Sequence, residues 1–329
     1  MRFLLDETGL KLGELSASEV RDVLETFLEV VERVHEDDEE PIARLDSVWD
    51  EVVWRDLSLV ELLTSRDLAP AELALLRDAR NRLLKALDKM HAWDAEATPD
   101  TFDVQLDGEA LAAMTLAWGC SLQQGGETVG CLVLMTAGRS GERAVLCQGR
   151  PARLHFITTL TDYLGFLRAS LLVEAQDVHH FAERAPRAFP SLVWREGVMD
   201  ELRTHRSSFF EERLAVLIRH LSVLDELGAQ IFNTYTEQRD REARLGSHGV
   251  NASTESGRAK GNRKATRDHT RSLGELPTVR DVEFWWHTKI THTDGRVHFL
   301  HVPPSTAKPD DDHPHGRIVI GIFADHLTV

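Results

Sequence analysis

Asp294-Gly295 stands between two runs of alternating residues, and this dipeptide constrains the chain more than any other feature. Asp-Gly favours the left-handed backbone of a tight hairpin turn, so residues 282–291 and 296–302 are expected to be paired strands. A third strand is expected over residues 318–323. Strand side chains alternate between faces with a period of two. His287 and Lys289 therefore share one face of the first strand, and Arg296 and His298 share one face of the second. Trp286, Ile290, Val297 and Phe299 point the other way. One sheet face is thus expected to be apolar and covered by helices. The other is expected to gather His287, Lys289, Arg296, His298 and, just past the third strand, His326 in an exposed hollow.

Upstream of this sheet, residues 191–195 read as a strand and residues 197–206 as a short helix. Phe209, Leu214, Leu217, Ile218, Leu221, Leu224 and Leu227 mark a longer helix that Gly228 should end. Residues 236–280 show little apolar periodicity and read as a polar, basic insertion, and residues 303–316 as a long loop. The N-terminal part has a different character. Ser16 and Glu19 form a capping box ahead of Val20, Val23, Leu24, Phe27, Val30, Val31 and Val34, which recur at helical spacing. A second helical region is expected over 43–64 and a third from Pro70 to Met90. Short β-branched runs at 102–106, 129–136, 143–148 and 153–158, separated by glycine turns, suggest a small sheet, followed by a helix over 159–172. The expected fold class is α+β. An acidic domain over 1–185 (helical 14–92, small sheet 100–160) precedes a βααβββ antiparallel-sheet domain over 186–329, with the basic insertion at 236–280.

Composition narrows the function. The net charge is −16, and residues 201–329 sum to about zero, so the first 200 residues hold the excess. Such a chain is no obvious nucleic-acid binder, because phosphate affinity comes from Lys and Arg. Residues 239–274 nonetheless carry nine Lys and Arg against four acids, either as a solvated loop or as an RNA or phosphate footprint. Three cysteines are too few for a disulfide framework or a four-thiolate zinc site. No GxGxxG or GxxxxGK[ST] loop is present. No basic stretch and apolar run opens the chain, and no apolar run approaches the roughly 18 to 20 residues of a membrane helix. A cytoplasmic protein without a membrane partner is expected.

The order strand, helix, helix, strand, strand, strand resembles the bacterial RelE/YoeB-type messenger-RNA-cleaving toxins. Trp286-His-Thr-Lys289-Ile, then Arg296-Val-His298-Phe-Leu, then an Ile-Val-Ile strand leading to His326 resembles the YoeB branch in particular. The resemblance is confined to the C-terminal part. It implies a metal-independent endoribonuclease acting on ribosome-associated mRNA, with no cofactor, and neutralised by an antitoxin or regulatory protein. By resemblance, Arg296 would hold the scissile phosphate, His326 would be the general acid, and a glutamate ahead of the strand, Glu275 or less well Glu283, would be the general base. His298 or His287 could replace that glutamate. The chain departs from the family in its length, its acidity, the 236–280 and 303–316 insertions, and Leu327 where the family has an aromatic residue. A toxin-like domain behind an acidic half suits phage defence or stress response, with the acidic half as regulator. The alternative is a non-catalytic interaction or regulatory protein on the same fold.

The chemistry is consistent with these side chains. Metal-free RNA cleavage needs a base for the 2′-hydroxyl proton, a cation for the phosphorane and an acid for the leaving oxygen. Histidine suits either proton role and arginine forks onto phosphate. A metal site is not expected. No HExxH is present, His179 and His180 are adjacent and do not converge, and His313 and His315 lie in a loop beside Asp310, Asp311 and Asp312.

Overall fold

The computed structural model describes residues 1–37, 41–93, 103–174, 178–205, 209–210, 213–273, 281–291, 294–304 and 316–325. They form two compact units, Met1–Ser170 and Leu171–Val329, so the division falls ahead of the expected residue 185. The fold is mixed α and β. Among the described residues no helix is long and apolar enough to cross a membrane.

The first unit is built on one eight-stranded sheet. In chain order its elements are β1 (Arg2–Leu5), α1 (Ala17–Asp37), β2 (Ala43–Arg44), β3 (Val52–Trp54), β4 (Leu57–Ser58), α2 (Leu59–Thr64), α3 (Pro70–Lys89), β5 (His91–Ala92), β6 (Asp103–Leu106), β7 (Glu109–Ala112), α4 (Met114–Gln124), β8 (Val129–Leu132), β9 (Gly141–Cys147), β10 (Arg150–Ile157) and α5 (Leu160–Glu174). The sheet order is β5-β2-β1-β8-β10-β9-β6-β7, with β3 and β4 forming a separate hairpin. Strands β5, β2, β1, β8 and β10 run parallel, and β9, β6 and β7 are antiparallel additions.

The capping box at α1 forms as expected, with Ser16 N–H donating to Glu19 Oε2 at 2.8 Å and Glu19 N–H to Ser16 Oγ at 3.4 Å. The predicted apolar stripe of α1 is buried, and α3 starts at Pro70. Other expectations are corrected. Residues 43–64 are mostly short strands and a 3₁₀ turn, with helix only at α2. Two- and three-residue strands are too short to show a period, so the Val, Leu and Trp spacing there mimics a helix. Of the glycine turns expected between strands, the one at Gly125-Gly126 instead ends α4. That helix has no polar stripe because it is buried at Thr115, Leu116, Ala117, Gly119 and Cys120.

The second unit contains α6 (Val178–Ala188), β11 (Leu192–Trp194), α7 (Val198–Thr204), α8 (Leu214–Val223), α9 (Ala229–Thr234), α10 (Gln238–Ser247), β12 (Ala252–Thr254), α11 (Gly257–Lys260), α12 (Arg263–His269), β13 (Thr270–Ser272), β14 (Asp281–Glu283), β15 (Trp286–Lys289), β16 (Arg296–His301) and β17 (Ile318–Ala324). Its five-stranded sheet has the order β11-β17-β16-β15-β12. Strand β11 is parallel to β17, and the remaining pairs are antiparallel.

Three departures from expectation shape this unit. Helix α8 does not stop at Gly228 but continues through a π turn (Leu224–Gly228) into α9. Gly228 is there for close approach, since a Cβ would stand 2.9 Å from Ile318 Cγ1. Residues 282–291 are not one strand, because β14 leaves the sheet to pair with β13 and only β15 stays. Finally, the polar stretch 236–280 is not a featureless insertion, since it supplies α10, β12, α11, α12 and β13. Arg271 from β13 reaches Glu201 of α7 at 3.0 Å, and Glu201 also holds Arg195 at 2.7 Å.

Candidate functional site

The β15–β16 pairing fixes which side chains meet. His287 lies opposite His298, and Lys289 opposite Arg296. Ser253 of β12 lies opposite His287 on the other flank. Ala324 of β17 is the register partner of Arg296. One face of the sheet therefore carries Ser253, His287, His298, Lys289 and Arg296, as period two requires.

The opposite face is apolar and covered, as expected. The Phe232 ring of α9 lies 4.9 Å from Trp286 and 5.7 Å from Phe299, both edge-on. Such aromatic pairs contribute about 0.5–1.5 kcal/mol each beyond the area they bury.

The histidine-bearing face is not the open hollow expected from sequence. His298 is 0% and His287 is 2% exposed. The cover comes from α12 and the segment leading into β15. Phe284, fully buried, lies directly against Gly321 of β17, where a Cβ would stand 2.1 Å from its ring. Phe284 packs with Val319, Ile322 and Ala324. His269, at the end of α12, stacks on Trp285 with ring centroids 4.7 Å apart. Lys289 and Arg296, at the turn end of the same strands, stay partly exposed.

Glu255 is the centre of the cluster. It follows β12 directly, and its N–H continues the ladder by donating to Trp285 O at 3.0 Å. Its Oε1 lies 3.2 Å from His287 Nδ1, 3.5 Å from Arg296 Nη1 and 3.6 Å from His269 Nε2. His287 Nε2 lies 3.3 Å from Ser253 Oγ. The two ring nitrogens of His287 thus face a carboxylate and a hydroxyl. His298 donates Nδ1–H to Phe284 O at 3.2 Å, and its ring lies 5.1 Å from both His269 and His287.

The electrostatics follow from this geometry. His269, together with His287 and Arg296, holds the Glu255 carboxyl below its ordinary value despite burial. Burial pushes His287 down to about 4, against the pull of Glu255 and with added repulsion from Arg296, Lys289 and His269. Burial also holds His298 well below its ordinary value. At neutral pH the pair is a charged glutamate against a neutral imidazole, which can accept a proton on Nε2.

A basic surface continues from the cluster. Arg258, Lys260, Arg263, Lys264 and Arg267 on α11 and α12 are all exposed. Among the described residues none of the five forms an ion pair. Lys260 Nζ stands 6.0 Å from the Trp285 ring centroid.

The structure therefore brings His287, His298, Lys289 and Arg296 together. His326 and Glu275 lie outside the described residues. The loop histidines His313 and His315 and the neighbouring aspartates also lie outside them. Glu283, the weaker glutamate candidate, binds Trp285 Nε1 at 2.6 Å and is exposed. Sequence reasoning missed Glu255, Ser253 and His269. The one available signal was that 239–274 combines excess cations with isolated acids, of which Glu255 is one. Among the described residues no group of three or more His, Cys, Asp or Glu is arranged to hold a metal ion. No family model, curated protein or solved structure matches the chain.

Proposed function

We propose that the second unit is a metal-independent endoribonuclease of the RelE/YoeB toxin type. The observation that carries this reading is the pairing of Lys289 with Arg296 beside the Glu255–His287 pair. Two cations directly opposite each other across strands repel. Glu255 relieves only part of this, at 3.5 Å from Arg296. A scissile phosphate would complete the neutralisation, and the exposed cations of α11 and α12 would lead an RNA strand toward it.

In this reading His287 Nε2 takes the 2′-hydroxyl proton, and Glu255 stabilises the resulting imidazolium. The 2′-oxygen attacks phosphorus while Arg296 and Lys289 hold the phosphorane charge. His326 protonates the departing 5′-oxygen. The products are a 2′,3′-cyclic phosphate and a free 5′-hydroxyl. Glu255 takes the place that the family resemblance gave to Glu275. Ribosome-bound mRNA as substrate, an antitoxin-like partner, a role in phage defence and regulation by the acidic first unit belong to the same proposal.

The test is the double variant Arg296→Ala with His326→Ala, assayed for RNA cleavage in EDTA and for growth arrest on expression. The expected result is loss of both in the variant, with cleavage by the parent persisting in EDTA. Cleavage unchanged in the variant rejects the assignment, and cleavage abolished by EDTA rejects the metal-free mechanism. The burial of His287 and His298 favours a second reading, a structural cluster under a non-catalytic protein-binding module. That reading predicts no cleavage by either form.

A further inference from the structure

The eight-stranded sheet of the first unit reverses its winding between β1 and β8. From β1 the chain passes through α1 to β2 on one flank, and through α2 and α3 to β5 beyond it. It later fills the other flank with β8 and then β10, both parallel to β1. At such a reversal the loops after the two central strands diverge and leave a crevice at their carboxyl ends. Here those loops carry Asp6, Glu7 and Thr8 after β1, and Arg139 after β8.

A cleft of about 630 Å³ opens at this place, lined by Thr8, Lys11 and Arg139 on one side and Leu106, Glu109 and Leu111 of the β6–β7 hairpin on the other. Clefts of roughly 300–1,000 Å³ are the size used for small organic ligands. The Arg139 guanidinium is prepositioned. Its Nη2 lies 2.8 Å from Asp6 Oδ2 and donates to Thr8 Oγ1, and its carbon sits 5.1 Å from the Phe156 ring centroid. The residue is only 8% exposed, and among the described residues its buried Nε has no hydrogen-bond partner. A buried N–H without a partner costs stability and marks a place for an acceptor. Asp6 offsets the Arg139 charge, the exposed Lys11 supplies a second cation at the mouth, and Asp107 and Glu109 place two carboxylates on the hairpin side of the lining.

We propose that this cleft binds a small phosphorylated ligand of mononucleotide size. The phosphate accepts from Arg139 Nε and pairs with Lys11. The flat apolar part lies on Leu106 and Leu111, and Glu109 accepts from ligand hydroxyls. The assignment is independent of the proposed nuclease, since none of its residues belongs to the second unit.

Calorimetric titration of the full chain with AMP, adenosine and inorganic phosphate tests it. AMP should bind saturably, phosphate should compete, and adenosine should bind at least about 10-fold more weakly, as a charge-assisted contact to phosphate requires. Lys11→Glu should weaken AMP binding about 10-fold with an unchanged melting temperature. Because Arg139 also neutralises buried Asp6, the second variant is Arg139→Gln with Asp6→Asn, which removes both charges together. Absence of saturable AMP binding up to about 5 mM overturns the proposal. So does adenosine binding as tightly as AMP, or an AMP affinity that neither variant alters.

Discussion

Each unit buries a carboxylate just past the end of a strand, Asp6 after β1 and Glu255 after the edge strand β12, and the two are treated in opposite ways. Asp6, after β1, has one guanidinium, that of Arg139, 2.8 Å away. Burial outweighs that single partner and raises the Asp6 carboxyl to about 6. Glu255, after β12, is shared by His269, His287 and Arg296, and its carboxyl is lowered. Both residues are below one-tenth exposed. Enclosure and partners together decide the sign: Asp6 is fully enclosed beside Glu7 with one guanidinium, whereas Glu255 is less enclosed and lies against His269, His287 and Arg296. At neutral pH the first arrangement is an enclosed ion pair, and the second is an ionised carboxylate between a neutral imidazole and Arg296.

The comparison can be broken most severely at Arg139. Arg139→Met leaves Asp6 buried without its cation, and should cost about 3–5 kcal/mol in denaturant unfolding at neutral pH. A loss below about 1 kcal/mol would show that Asp6 is already protonated or relaxes to water. Packing gives the next effect. Gly228→Val pushes a side chain into Ile318 and should cost about 1–3 kcal/mol, localised to the second unit by hydrogen exchange.

The pH dependence should be smaller and of opposite sign in the two units. The folded Asp6 pKa lies above its unfolded value of 3.8, so its contribution is full below 3.8 and is lost as pH rises through about 6. His287 has a folded pKa near 4 against 6.5 unfolded, so its contribution is full above 6.5 and is lost as pH falls through about 4. Stability differences between the parent and Asp6→Asn, and between the parent and His287→Asn, isolate the two contributions. Between pH 4 and 6 their slopes should have opposite signs. Slopes of the same sign would show that burial does not govern the two titrations.

Much of the second sheet was legible from residue type. Asp294-Gly295 closes the turn, with Ile290 N–H donating to Gly295 O at 2.8 Å. Period two alone placed His287, Lys289, Arg296 and His298 on one face. What could not be read was what covers that face. Strand β12 is three residues long, too short for a pattern, and Glu255 acts 32 residues upstream of His287. Phe284 and Trp285 read as strand, yet they interrupt it and cap the cluster. In the first unit the short parallel strands β2 and β5 carried no period either, so the sheet extends well beyond the small one expected.

The most direct measurement is single-turnover cleavage of a short RNA by the parent and by Glu255→Gln, in EDTA, with binding followed separately. If Glu255 and His287 act as the base, the rate should fall by about 100-fold or more while RNA affinity changes little. Equal rates, or a loss explained wholly by weaker binding, would contradict the account.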